Sequence, residues 1–155
     1  MRDFDFLRIY VESKIDDKQN DYRYALNPGR DRAKVRRMEV GAGFTVPDEL
    51  CDFYAFSYGA NFGPYAILTI SQIAAFVSEC RKVYQDLWMD TILPFAFVTD
   101  TGDFAAFDLA EPGKGGLLIL DCFHELPPAK WKGVCFGLRN WLVQMAKNDF
   151  DPFWL

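Results

Sequence analysis

The chain has 155 residues, the length of one domain, and can bury a core without disulfides or metals. Half of its residues are hydrophobic and 17% are aromatic, which excludes a disordered chain. No apolar run approaches the roughly 20 residues of a membrane span, and the N-terminus lacks the apolar region of a signal peptide. We therefore expect a cytoplasmic protein with no membrane partner.

Charge is unevenly distributed along the chain, whose net charge is −5. Residues 1–47 contain ten Lys or Arg against eight Asp or Glu, whereas residues 48–155 contain seven against fourteen. Nucleic-acid-binding domains usually have the opposite balance on their main body. We therefore expect no nucleic-acid partner, and the acidic part of the chain favours a basic protein partner.

The first 40 residues predict two short helices separated by a loop. Apolar residues at helical spacing mark the first helix: Phe4, Leu7, Val11 and Ile15. Residues 16–32 are polar and contain an Asn-Pro-Gly turn signal, which indicates a loop, and residues 33–40 predict a weak helix. The basic run in this region is interpreted as a solvated helix face: Arg30, Arg32, Lys34, Arg36 and Arg37.

Residues 44–59 predict a helix whose start and end are marked in the sequence. Pro47 fits the first turn, where its missing N–H is not needed, and Asp48 and Glu49 place negative charge at the positive end of the helix dipole. Gly59 suits a left-handed residue at the C-terminal end. The inward-facing positions between them have helical spacing: Leu50, Phe53, Tyr54 and Ser57.

The rest of the chain predicts a strand, a long helix, a three-stranded meander and a final helix. Residues 62–70 form the strand, and Ser71 caps the helix that follows. Short strands at residues 95–99, 104–109 and 117–123 are joined by tight turns. The two helices have apolar stripes: Ile73, Phe76, Val77, Cys80, Tyr84 and Leu87, then Leu138, Trp141, Leu142 and Met145. The predicted fold is a single α+β domain, residues 1–155, with a mostly antiparallel sheet flanked by helices.

No residue pattern predicts catalysis, a metal or a cofactor. The sole histidine is His124, and the chain has neither a GxSxG serine motif nor a cysteine in the sequence context of a known catalytic family for it to activate. We therefore interpret His124 as a histidine at the end of a strand. Residues 111–116 are rich in glycine but lack the Ser or Thr that follows the lysine of a phosphate-binding loop. No Cys-x-x-Cys spacing indicates a zinc site, and Cys80 and Cys122 are interpreted as buried thiols.

Acidic residues cluster around the two turns of the meander: Asp100, Asp103, Asp108 and Glu111. The simplest interpretation of these acids is that they are solvated turn residues, and the second is that they form a negative patch that binds a partner. Catalysis is least favoured, because Asp103 and Asp108 face opposite sides of a strand. The apolar residues 150–155 either fold back onto the core or form a docking peptide, and we favour the first.

Several short motifs occur in an order that resembles the SUKH superfamily, over about residues 39–147. They are the helix start Val46-Pro47, the helix end Tyr58-Gly59, the step Ile67-Leu68-Thr69-Ile70-Ser71, the pair Leu93-Pro94 and the hairpin Gly102-Asp103. Val46 replaces the usual Leu and Tyr58 the usual Asn, and residues 1–38 are poorly matched.

The resemblance implies a non-enzymatic scaffold that binds partner proteins, since the superfamily shares no catalytic residues. It includes a yeast cell-wall regulator and many bacterial immunity proteins, which neutralise cognate toxins that are often nucleases. The leading hypothesis is therefore an immunity protein that binds a toxin domain directly and needs no cofactor. Its expected contact residues are Asp100, Asp103 and Glu111.

Two other functions stay open at this point. A regulatory interaction module would act on a cellular protein, and its gene would lie at a housekeeping locus rather than downstream of a large secreted toxin. A small-ligand binder or enzyme would use an aromatic groove beside His124. The sequence leaves the identity of the toxin, the binding face and the oligomeric state open.

Overall fold

The computed structural model describes residues 3–15 and 22–155. Seven strands form one antiparallel sheet in chain order: β1 Tyr24–Leu26, β2 Ala60–Phe62, β3 Tyr65–Ile67, β4 Ile92–Val98, β5 Phe104–Gly113, β6 Gly116–Cys122 and β7 Lys132–Phe136. The helices of these residues are α1 Asp5–Ile15, α2 Arg32–Glu39, α3 Asp48–Phe56, α4 Ile70–Tyr84 and α5 Leu138–Lys147. The α+β prediction, with a mostly antiparallel meander flanked by helices, is confirmed. Within these residues no helix has the length and apolar character needed to cross a bilayer.

Helices cover both faces of the sheet. Residues 104–107 of β5 are all buried, although their side chains alternate between the two faces. Ala105 and Phe107 belong to the larger core, together with buried residues of α1, α3 and α5. Phe104 and Ala106 belong to a smaller core under the C-terminal half of α4. Strands buried on both faces explain the high apolar and aromatic content of the chain.

The predicted helix at residues 44–59 is present as α3, with shorter bounds. It begins at Asp48, one residue after Pro47, which occupies the N-cap position. It ends at Phe56, and Gly59 follows in the left-handed region with φ +79°. A Cβ at Gly59 would lie 3.0 Å from the Cγ2 of Thr69, so both the backbone angle and the space favour glycine.

The basic run of α2 is only partly solvated. Arg32 pairs with Asp48 and Asp52 of α3 at 2.8 Å each. Arg36 donates to Asp48 and to the carbonyl of Val46, each at 2.8 Å. The run therefore joins α2 to the acidic first turns of α3, which its local sequence does not reveal.

The predicted strand at residues 62–70 is wrong, because it is two strands and a helix start. Gly63 has φ +66° and, with Pro64, makes the turn between β2 and β3. Ile70 already begins α4, and Thr69 rather than Ser71 is its cap. The side chains and backbone N–H groups of Thr69 and Gln72 bond reciprocally in a capping box.

Other predictions near the chain ends have mixed outcomes. Residues 16–21 of the predicted loop lie outside the described residues, and the rest of that loop contains β1, which was not predicted. Strand β7 was also missed. The interpretation of Cys80 and Cys122 as buried thiols is confirmed. The C-terminal residues do fold back, since Phe150 is 1% exposed and belongs to the larger core.

Candidate functional site

A groove of about 950 Å³ lies at one end of the sheet, between the strands and residues 149–155. Five carboxylates and two lysines line it: Asp100, Asp103, Asp121, Asp149, Asp151, Lys130 and Lys132. Aromatic rings contribute to its walls, among them Tyr22, Tyr65, Phe123 and Trp154. The groove is therefore acidic and aromatic, a combination suited to binding cationic groups.

Asp103 fixes the β4–β5 turn to the loop that follows β6. Its carboxylate accepts the backbone N–H of His124 at 2.9 Å and lies 2.6 Å from the Nδ1 of the same residue. Trp131 holds the loop from its other side by donating to the carbonyls of Phe123 and Leu126, at 2.8 and 3.1 Å. This rim of the groove is thus pre-organised by side chains that contact backbone.

The three predicted contact residues occupy two different places. Asp100 accepts a hydrogen bond from Tyr22 and lines the groove together with Asp103. Glu111 lies in the distal part of β5, about 26 Å from Asp103 at the usual rise per residue of a strand. Asp100 and Asp103 are therefore brought together, and Glu111 is not.

The C-terminal wall of the groove depends on an unusual backbone reversal after α5. Asp149 and Phe150 have φ of +53° and +56°, a region that is unfavourable for a bulky residue such as Phe150. The reversal is held because the ring of Phe150 stacks on Phe62 with 4.6 Å between centroids. The Asp149 carboxylate adds a hydrogen bond from Tyr10 at 2.7 Å and an ion pair with Lys14 at 2.6 Å.

The pKa of Asp149 is lower than that of an ordinary aspartate. Burial acts to raise this pKa, but the hydrogen bonds from Lys14 and Tyr10 outweigh it. The carboxylate is therefore ionised at neutral pH, with Lys14 as a compensating cation.

Asp121 is a site residue that sequence reasoning missed. It projects from β6 and faces Ala105 on β5 and Lys132 on β7. Its Oδ2 accepts a hydrogen bond from the Nε1 of Trp154 at 3.0 Å. Burial raises the pKa of Asp121, and the Trp154 hydrogen bond acts in the opposite direction. The available signal was a single charged residue inside the apolar run 117–123.

The rim of the groove includes a histidine that is hydrogen-bonded to a carboxylate. His124 and Asp103 form a base-and-acid pair, yet no Ser, Thr or Cys side chain of the described residues bonds to His124 as a nucleophile would. In residues 3–15 and 22–155, no group of three or more His, Cys, Asp and Glu side chains is positioned to hold a metal ion.

Comparison with known families identifies the scaffold. The sequence profile of the SMI1 / KNR4 family (SUKH-1) matches residues 31–138, more than two thirds of the 155 residues. The chain belongs to the SMI1/KNR4 family. No curated protein matches the sequence. Domains of the SMI1/KNR4 family are immunity-protein-like and generally non-catalytic.

The family match divides the groove into two parts. Tyr65, Ala105 and Asp121 lie within the SMI1/KNR4 match, on the sheet. Tyr22 and the C-terminal wall with Trp154 lie outside it. The bottom of the groove therefore belongs to the family scaffold, whereas two of its walls come from flanking segments.

Proposed function

We propose that this protein is an immunity protein, which binds a toxin domain through its acidic groove face and neutralises the toxin without catalysing a reaction. Membership of the SMI1/KNR4 family supports this proposal. The observation that carries it is the excess of carboxylates in the groove, five against two lysines. Carboxylates steer toward the basic cleft of a nuclease and can occupy that cleft without being turned over.

The test is co-expression with the product of the adjacent gene, scored for rescue of growth. A wild-type chain that restores growth, and binds the purified toxin domain in calorimetry, supports the proposal. Toxicity that persists at equal expression of both proteins contradicts it. A housekeeping gene in the adjacent position would instead favour a regulatory interaction module.

Asp100, Asp103 and Glu111 are the proposed contact residues, and their positions call for separate variants. Asp100→Lys reverses a charge in the β4–β5 turn, and Glu111→Lys reverses one in the distal part of β5. At Asp103, substitution by Asn is preferable to substitution by Lys, because a lysine would lose both contacts with His124.

We expect Asp100→Lys to weaken toxin binding at least about tenfold, with a nearly unchanged melting temperature, since exposed charges contribute little to stability. Surface plasmon resonance at two salt concentrations measures the effect, which should shrink at the higher one. Affinity that is unaltered by all three changes would remove these residues from the contact surface.

A small-ligand binder is a second candidate, favoured by the size of the groove. Its volume of about 950 Å³ is in the range of small-molecule sites, and polar groups converge on it beside His124. A thermal-shift screen of cellular metabolites tests this function. A metabolite that raises the melting temperature of the wild type, and raises that of Asp103→Asn less, would support it; a screen without such a metabolite contradicts it.

A further inference from the structure

The largely buried Tyr65 places its hydroxyl group at the bottom of the groove. Tyr65 lines the groove and is 5% exposed, and its ring packs edge-on against Trp141 with 5.7 Å between centroids. Its hydroxyl makes no hydrogen bond with any residue that the structure describes. The charges that act on this hydroxyl are the carboxylates of Asp121, Asp103 and Asp151. Because this hydroxyl is open to the groove and makes no hydrogen bond within the described residues, a ligand in the groove can bond to it.

Two carboxylates beside Tyr65 have free acceptor capacity. Asp121 uses Oδ2 for Trp154, while its Oδ1 has no hydrogen-bond partner in the described part of the chain. The side chain of Asp151 likewise makes no hydrogen bond there, although its backbone bonds to Asn148. The small side chain of Ala105, opposite Asp121 on the neighbouring strand, leaves room between these groups and Tyr65.

We propose that the groove binds an arginine side chain presented by a protein partner, with Asp121 and Asp151 accepting its N–H groups beside the Tyr65 hydroxyl. This inference rests on the proposed function and specifies the chemistry of the toxin surface that the groove recognises. The carboxylates repel an anion, and a guanidinium offers five N–H donors in one plane to several acceptors at once.

Arginine fits the groove better than lysine because of the aromatic walls. A guanidinium stacks on ring faces while its edges donate hydrogen bonds, which an ammonium group does less well. The same chain packs arginines over rings elsewhere, with Arg30 4.8 Å from the Tyr58 centroid and Arg8 5.1 Å from that of Phe56. Phe123 and Trp154 supply such rings in the groove.

The first experiment titrates the isotope-labelled protein with two blocked tripeptides, Gly-Arg-Gly and Gly-citrulline-Gly. Citrulline has the shape of arginine without its charge. We expect the arginine peptide to shift the amide signals of Tyr65 and Asp121 in a saturable way and to bind at least about tenfold more tightly than the citrulline peptide. Equal shifts from both peptides, or no saturation by about 20 mM peptide, would overturn the proposal.

Three variants locate the site. Tyr65→Phe removes only the hydroxyl, and Asp121→Asn removes the charge while an amide oxygen can still accept from Trp154. Asp86→Asn is the matched control, since Asp86 is exposed next to α4 and does not line the groove. We expect each groove variant to lose at least about threefold and the double variant at least about tenfold in affinity for the arginine peptide. Full affinity in the double variant would overturn the assignment.

The growth assay separates this inference from the proposed function. If the wild type rescues growth and the Tyr65→Phe, Asp121→Asn double variant does not, both proposals are supported. If the double variant rescues as well as the wild type, immunity stands and the arginine site is wrong. If the wild type fails to rescue but binds the arginine peptide in the groove, immunity is wrong and the arginine site stands.

Discussion

Glu49 joins three elements that are distant in sequence, and its substitution provides the sharpest test of the fold. Its Oε1 accepts the N–H of Leu138, the first residue of α5, at 2.7 Å. Its Oε2 accepts the N–H of Leu117 in β6 at 3.0 Å. Gly137, at the N-cap position of α5, has no side chain to cap the helix, so Glu49 supplies the cap from α3.

The expected loss follows from these two bonds. Hydrogen bonds to charged groups contribute about 1.5–3 kcal/mol each, and an unmet N–H at the half-buried start of a helix adds a penalty. Because Glu49 keeps some solvent contact, we take the lower values and expect Glu49→Ala to lose about 3 kcal/mol of unfolding free energy. Glu49→Gln retains one acceptor oxygen and should lose about 1–2 kcal/mol.

Urea unfolding followed by tryptophan fluorescence measures these losses, with thermal unfolding as a second probe. For a chain of this size, 3 kcal/mol corresponds to a decrease in melting temperature of about 6–12 °C. Glu79→Ala is the control, since Glu79 is exposed and its pair with Lys82 at 3.2 Å lies on the surface of α4. If Glu49→Ala changes stability by no more than this control, the capping role is refuted.

Two further predictions concern the backbone and the pH dependence. Gly137→Ala should lose at least about 2 kcal/mol of unfolding free energy in urea, because φ is +91° and the new Cβ would lie 2.1 Å from the Gly115 oxygen. Gly41→Ala is the control: a Cβ there would have no atom within 4 Å, and stability should change by less than about 0.5 kcal/mol. The pKa of Asp149 is lowered in the fold, so its ionised carboxylate stabilises the folded state at pH values above the ordinary aspartate pKa of about 3.9. This stabilisation is lost as the pH falls through the lower folded pKa. Asp149→Asn should therefore lose up to about 1 kcal/mol at pH 7, and this difference should shrink progressively as the pH falls below the ordinary aspartate pKa; a difference that stays constant would contradict the ion pair.

The sequence predicts elements well where the signals are local. Pro47 and Gly59 bracket α3 to within a few residues, because proline at a helix start and a left-handed glycine after its end act on their own neighbourhood. The missed turn between β2 and β3 was also local, since Gly63-Pro64 is a turn signal within an apolar run. The capping role of Glu49 has no local signal, because its two carboxylate oxygens accept from N–H groups that are 68 and 89 residues away in the sequence.

The candidate site shows the same division between features with a local sequence signal and features that depend on distant residues. Asp100 and Asp103 were predicted to lie at a turn and do so, because strand and turn signals fix that turn. The role of Asp121 depends on its being opposite Ala105 on one side and near the returning Trp154 on the other. Neither the register of β5 and β6 nor the reversal at Phe150 can be derived from alternation alone, so the acidic composition of the groove could not be predicted.

Several departures from favourable local chemistry lie at the groove, although others lie elsewhere, such as the left-handed Gln85 with φ +50° and the buried Nε1 of Trp88, which has no hydrogen-bond partner in the described part of the chain. Glu49 meets two N–H groups, whereas at the groove Phe150 adopts a left-handed backbone, Asp121 keeps a half-buried charge and the Tyr65 hydroxyl makes no hydrogen bond within the described residues. Proteins retain such departures chiefly where they serve function. Since burial disfavours the ionised form of Asp121, Asp121→Asn should preserve or raise the unfolding free energy at pH 7 while lowering affinity for arginine. A loss of stability in that variant equal to its loss of affinity would mean that Asp121 supports the fold, and the groove would then be a by-product of packing.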